Sequence, residues 1–278
     1  MKKIKVLALV LFFVCSIIIS AAFMSCKSAA KNSKEKDFKY ESRGFALVEL
    51  FTSEGCSSCP PADDLIAKVQ KEVGDKPIYI LAYHVDYWNR LGWKDVFSSS
   101  DYSKRQNEYA RWLKLSQVYT PQVVVNGKTE FVGSQEEALR NAIKNGLQGG
   151  SNIQLSLNVT PNADNTASVQ YKIEGNAGEG NNVITLALVQ KQAEIKVERG
   201  ENGGRTLAHT QIVRTLQSQP LSKNTGTATL ALPAGFKLPG WEVIGFVQNS
   251  GSGAILGVSK VRFKATAKAD NQYTKNIL

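Results

Sequence analysis

The sequence predicts two successive patterns: an α/β segment over residues 45–149 and an all-β, sandwich-like segment over residues 150–267. Three observations predict them. Short apolar runs alternate with stretches of helical periodicity as far as residue 148. From Ser151 the apolar residues instead fall at every second position, between clusters of Gly, Asn and Pro. The pair Gly149-Gly150 separates the two patterns.

Residues 45–52 are apolar and bounded by Gly44 and Ser53-Glu54-Gly55, which marks a buried strand. Residues 60–73 carry Leu65, Val69 and Val73 in one helical stripe, with Gly74 as the stop and Pro77 barring continuation. A second buried strand spans residues 78–83. After a Trp-rich loop, residues 102–115 read as a helix with Tyr102, Gln106, Tyr109 and Leu113 near one face. Pro121 opens a strand over residues 122–125. Asn126-Gly127 is a two-residue hairpin signal, and residues 129–132 return. Ser134-Gln-Glu-Glu137 has capping-box spacing and starts a helix carrying Ala138, Leu139, Ala142 and Ile143. The order β-α-β-α-β-β-α is that of a thioredoxin-like domain. In the second half, strands are expected at residues 153–159, 169–173, 183–189, 194–198, 207–216, 227–232, 241–247 and 255–263, with a tail at 268–278.

Composition excludes several classes. With 42% hydrophobic and 21% charged residues among 278, the chain is not wholly disordered, low-complexity or collagen-like. Four Cys and two His supply neither a multi-zinc architecture nor a disulfide-dense scaffold. The net charge is +10, but Lys and Arg are spread without a basic block or interleaved aromatic run, so nucleic acid is not an expected partner.

The N-terminus begins Met1-Lys2-Lys3-Ile4-Lys5 and continues with nineteen uncharged residues, 6–24. Residues 6–19 have the length of a signal-peptide h-region, although an apolar run of this size also suits an uncleaved anchor. Small residues precede Cys26, as in the lipobox of bacterial lipoproteins, which favours a lipoprotein signal over residues 1–25 and lipidation of Cys26. Residues 26–44 are polar and without periodicity, a flexible tether. The expectation is a chain held in the bacterial envelope by lipid on Cys26. Cys15 leaves with the signal, so Cys56 and Cys59 remain as the two free thiols.

Cys56-Ser57-Ser58-Cys59 lies between the first strand and the first helix, and a CxxC beside a β-α-β pattern reads as a redox motif. The free N–H groups and dipole of a helix N-terminus stabilise a thiolate. Cys56 is then the attacking thiol and Cys59 the resolving one. Pro60 and Pro61 suit only the first turn, which keeps Cys56 at the helix mouth. Thr120-Pro121 precedes the third strand, where a thioredoxin-like order places a cis-proline facing the cysteines. Glu49, seven residues before Cys56, is a candidate base for Cys59; the alternative is a Glu paired with Arg or Lys. His84 and Asp86, at the carboxyl end of the second strand, are candidates for tuning the thiol or carrying protons, or else structural residues. Tyr87, Trp88 and Trp93 either line a ligand groove or pack as a loop over the sheet edge.

Four stretches resemble the secreted, thioredoxin-like family catalogued as domain of unknown function 1223. They are residues 48–63 (VELFTSEGCSSCPPAD), residues 84–95 (HVDYWNRLGWKD), Arg105-Gln106 with Tyr109, and residues 118–127 (VYTPQVVVNG). A fifth runs from Gly204 to His209 and on to Val213-Arg214. Asn89, Val96 and Gln211 depart from the family pattern, where Asp, Pro and Asn are expected. The resemblance implies the fold and an extracytoplasmic location, and no established reaction.

Arg199, Arg205, His209 and Arg214 surround Gly200-Glu-Asn-Gly-Gly204, either as an anion or partner site or as a solvated hairpin. No Ser-His-Asp set or phosphate-binding Gly loop accompanies them, and no cofactor or metal is expected. Three functions fit the residues. The first is an envelope thiol–disulfide oxidoreductase whose partners are protein or small-molecule thiols and disulfides. The second is a binding lipoprotein with a structural Cys56–Cys59 bond. The third is a copper metallochaperone using Cys56, Cys59 and His84.

Overall fold

The computed structural model describes residues 44–177 and 181–264. The expectations for the signal segment, Cys26, the tether and the tail at 268–278 lie outside the described residues. In chain order the elements are β1 (Ala46–Thr52), α1 (Pro60–Glu72), β2 (Ile78–His84), α2 (Ser100–Leu113), β3 (Gln122–Val125), β4 (Thr129–Val132), α3 (Glu136–Gln148), β5 (Ile153–Pro161), β6 (Thr166–Gly175), β7 (Asn182–Lys196), β8 (Thr206–Pro220), β9 (Thr225–Ala231), β10 (Trp241–Asn249) and β11 (Ile255–Arg262). Among the described residues no helix is long and apolar enough to cross a membrane.

The fold is mostly β, built on a mixed eight-stranded sheet in the order β11-β10-β7-β8-β2-β1-β3-β4 and a three-stranded sheet β5-β6-β9. β1 pairs parallel with β2 and antiparallel with β3, and β3 pairs antiparallel with β4. The sheet does not stop at Gly149-Gly150. β8 joins β2 in parallel through Ala82 and Ile212, so strands from both halves of the chain share one sheet.

Period-two alternation explains the layers. Ala46, Val48 and Leu50 of β1 face α1 and α3, where Leu65, Ile66, Val69, Leu139 and Ile143 complete one core. Leu47 and Phe51 face the other side, with Tyr102 and Tyr109 of α2 and with Val189, Val213 and Phe246 from the second half. A third core forms where Leu155, Val169 and Ile173 pack on Ile184, Leu186 and Val243.

Two local expectations are corrected. The strands expected at 183–189 and 194–198 are one strand, β7, because its ladder with β8 continues through Gln190↔Ile212 and Gln192↔Thr210. Polar residues there mimic a turn, while a register shift at Leu188/Val189 absorbs the irregularity. The capping box of Ser134 does not form: Gln135 occupies the N-cap and makes no side-chain cap. Glu136 in the first turn instead pairs with Lys68 and Arg140 across the helix surfaces.

The Asn126-Gly127 turn has both residues in the left-handed region, at φ 52° and 67°. Asn126 also accepts from Leu47 N–H at 2.7 Å and donates to Phe45 O at 2.9 Å, fastening the turn to β1. A Cβ at position 127 would meet Gly253 O at 1.9 Å. Gly127→Ala is therefore expected to lower unfolding free energy by at least ~1 kcal/mol through the left-handed backbone, plus the cost of moving the Gly253 segment. An unchanged urea midpoint would contradict this packing.

Candidate functional site

α1 starts where two prolines follow a cysteine. Pro60 and Pro61 lack N–H groups, so the chain turns into the helix immediately before them, with Cys59 at the N-cap. Cys59 O accepts from Ala62 N at 2.8 Å and Asp63 N at 3.2 Å, while Cys59 N donates to Cys56 O at 3.2 Å. This compact turn holds Cys56 and Cys59 in a disulfide with Cα atoms 5.4 Å apart. The Thr120–Pro121 peptide is cis, and Thr120 brings its hydroxyl 3.3 Å from Cys56 Sγ. Trp88 Nε1 donates to the same hydroxyl at 2.8 Å. Ser58 Oγ lies 3.4 Å from Cys56 Sγ and donates to Thr120 O.

The sequence places Cys56 at an open helix mouth; the structure does not. Both cysteines are 0% exposed, although Ser57 and Ser58 between them face solvent. Beside them lies the turn between β7 and β8, the Gly200–Gly204 stretch expected either as an anion or partner site or as a solvated hairpin. It is a solvent-exposed turn except at Asn202, which points inward. Asn202, fully buried, donates through Nδ2 to Glu54 O and to Cys56 O, each at 2.9 Å. Glu201 accepts from Ser57 N–H at 3.1 Å, and Arg205 holds Asn202 Oδ1 at 2.8 Å. Gly200 sits against Trp93, where a Cβ would come within 3.2 Å of the Trp93 Cβ.

Glu49 occupies the sheet face that packs on α2, whereas α1 with Cys59 packs on the opposite face. Its oxygens are taken by Arg105, at 2.6 Å from Nη2, and by the Tyr109 hydroxyl. Asp86 likewise turns to α2, accepting from Ser103 Oγ at 2.5 Å. Tyr87 and Trp88 pack within the loop core, so the aromatic loop covers the sheet edge.

His84 is buried and binds Asp95 through Nδ1 at 2.7 Å. Asp95 also accepts from Glu54 N and Phe97 N, each at 2.8 Å. Burial pushes the Asp95 carboxyl up and the His84 imidazole down, but their pairing outweighs it. Asp95 therefore lies below the ordinary carboxylate range and His84 above the ordinary imidazole range. Glu54 is raised by burial and by neighbouring Asp95. His209 stacks edge-on to His84, with ring centres 4.8 Å apart. Glu54, Asp63, Asp95 and Asn202 are site residues that sequence reasoning missed. Asp63 and Glu54 flank the CxxC, the one signal that pointed to them.

The arrangement can hold a dithiol–disulfide couple beside a buried carboxylate–imidazole cluster. Three comparisons bear on it. The chain is 30% identical to protein AGR_C_4864 of Agrobacterium tumefaciens, with a TM-score of 0.59 over 80% of this chain and 95% of that one. HBP35 of Porphyromonas gingivalis shares the fold at 16% identity, with a TM-score of 0.58 over 82% of this chain and 78% of that chain. A thioredoxin of Methanocaldococcus jannaschii is 32% identical over 101 residues, 36% of this chain and 94% of that protein. A family model matches residues 47–248, and the chain belongs to that family, the proteins of unknown function designated DUF1223.

Proposed function

We propose that this chain is a thiol–disulfide oxidoreductase-like protein of the bacterial envelope. It acts through Cys56 and Cys59 on a thioredoxin-like scaffold extended by a sandwich-like β segment. The observation that carries this reading is the disulfide at the N-terminus of α1, with the Thr120-Pro121 loop 3.3 Å from Cys56 Sγ. The strand order β2-β1-β3-β4 beneath it and the similarity to a thioredoxin support the scaffold. The basic, apolar and small-residue N-terminus ending at Cys26 supports export and lipid anchoring.

In the reducing direction the Cys56 thiolate attacks one sulfur of a substrate disulfide. A Cys56–substrate disulfide forms and one substrate thiolate leaves, taking a proton from solvent. The Cys59 thiolate then attacks Cys56 Sγ, closing the intramolecular bond and releasing the second substrate thiolate. Two electrons pass to the substrate, and the reverse sequence oxidises a substrate dithiol. Either direction requires the buried sulfurs to become accessible, and the Gly200–Gly204 turn, bound to Cys56 O and Ser57 N–H, is the segment that lifts in this reading.

That burial specifically favours a second reading, a structural Cys56–Cys59 bond in a binding protein. The reduction potential separates the two. An oxidoreductase couple is expected at roughly −270 mV or above, and a structural bond below about −300 mV. Cys59→Ala, which cannot resolve the mixed disulfide, is expected to accumulate covalent Cys56 adducts with thiol-bearing partners. A potential in the structural range together with no adduct would refute the redox role.

A further inference from the structure

We propose that Glu54, His84 and His209 form a site for one divalent transition-metal ion of the zinc class, separate from the two sulfurs. The three side chains come from the turn after β1, the end of β2 and the start of β8, and all are at most 2% exposed. Each points an unsatisfied atom inward: Glu54 Oε1, His84 Nε2 and both nitrogens of His209 have no hydrogen-bond partner. Buried polar atoms without a protein partner are rare, and four in one cluster of three residues make these side chains candidate ligands.

The opposite ends of two of these groups, His84 and Glu54, are held. Asp95 fixes His84 Nδ1 at 2.7 Å, which leaves the Nε2 lone pair free when a proton is on Nδ1. Trp93 Nε1 donates to Glu54 Oε2 at 2.6 Å, leaving Oε1 free. Asp63 Oδ1 stands 3.9 Å from His209 Nδ1, a second carboxylate behind a second imidazole. Asp63 is itself anchored by Thr52 Oγ1 at 2.9 Å. One carboxylate–histidine arm, Asp95–His84, and the His209 ring thus stand beside the free Glu54 oxygen.

The spacing suits a small ion. His209 Nε2 lies 3.7 Å from Glu54 Oε1, beyond hydrogen-bonding distance. Two ligand atoms each ~2.1 Å from zinc are at most ~4.2 Å apart, so both reach one ion. His84 belongs to the same pocket: one of its nitrogens lies within 4.8 Å of a Glu54 carboxylate oxygen, and its ring centre is 4.8 Å from that of His209. Charge points the same way. Among the described residues no Lys or Arg makes an ion pair with Glu54, Asp63 or Asp95. Arg205 turns to Asn202, and the Arg214 guanidinium lies over the Phe97 ring. A divalent cation bound here would take the place that a Lys or Arg partner does not fill. Two imidazoles and one carboxylate select zinc or a neighbouring first-row ion over the oxygen-seeking magnesium and calcium.

The test uses the purified full chain, stripped with chelator and kept with Cys56 and Cys59 oxidised so that no thiolate is available. Co(II) and Zn(II) are titrated separately, with bound metal counted by elemental analysis. One equivalent of each is expected, with Co(II) giving ligand-field bands and no sulfur charge-transfer band. His84→Ala and His209→Ala are each expected to weaken binding at least ~100-fold. Asp95→Asn, which acts through His84, is expected to weaken it ~10–100-fold. Circular dichroism identifies variants that remain folded, and Glu54→Gln supplies a near-isosteric ligand loss should the histidine variants fail to fold. Oxidised wild-type protein that takes up no stoichiometric metal overturns the site. So does binding that appears only after the cysteines are reduced, or that is the same in the folded variants.

Discussion

Glu49→Ala is expected to cost about 3–5 kcal/mol of unfolding free energy, the largest stability loss of any single change considered for this protein. The Glu49 side chain is 0% exposed and that of Arg105 is 6% exposed. Arg105 spreads its donors over three partners: Nε on Glu49 at 2.8 Å, Nη1 on Gln248 at 3.1 Å, and Nη2 on the Tyr109 hydroxyl at 3.0 Å and on Glu49 at 2.6 Å. Its guanidinium also lies 5.0 Å from the ring centres of both Tyr109 and Phe246. Removing the carboxylate strands a cation among aromatic rings, where water cannot replace the lost charge. The network joins β1, α2 and β10, so the damage spreads across both halves of the chain. Restoring an apolar match with Glu49→Met plus Arg105→Met should recover part of the loss, since a well-packed apolar pair often equals a buried ion pair. Urea unfolding of the two variants checks both statements. A Glu49→Ala midpoint equal to wild type would refute the role assigned to this pair.

Asn202→Ala should make the Cys56–Cys59 disulfide about 10–100-fold more rapidly reduced by a small thiol or phosphine. One side-chain amide satisfies two buried carbonyls, Glu54 O and Cys56 O, from 148 and 146 residues away. Truncation removes the Asn202 donor from Glu54 O and leaves Cys56 O with only the Cys59 N–H, and a buried unsatisfied group costs ~1–3 kcal/mol. The closed arrangement loses that much relative to an open one in which water serves the carbonyls. A shift of ~1.4–2.8 kcal/mol in the opening equilibrium corresponds to the stated range of rates. Glu201→Ala should do far less. Its contact with Ser57 N–H is exposed, and water takes its place. Reduction rates that are identical in wild type and Asn202→Ala would mean that the turn does not limit access to the sulfurs.

Much of the fold was legible because its signals are local. Apolar runs, helical stripes and the Asn126-Gly127 turn locate β1 to α3 within one to three residues of where they lie. Pro60 and Pro61 place the start of α1, and with it Cys59 at the N-cap. The misjudged elements are those in which tertiary pairing overrides a local signal. The polar residues after Val189 look like a turn, yet β8 keeps them in the ladder. Ser134 has the right spacing for a cap, yet Gln135 takes the position.

By itself the amino-acid sequence determined the family motifs, the succession of helices and strands, and the pairing of a CxxC with a helix start. Tertiary structure alone decided that Glu49 serves Arg105, that the β7–β8 turn binds the backbone of Cys56 and Ser57, and that His84 and His209 meet beside Glu54. The physical reason is range. Helical and strand periods are fixed by residues within a turn or two of one another. The surroundings of a buried charge are set by whichever strands the sheet brings alongside, and here β8 arrives beside β2 from the other half of the chain.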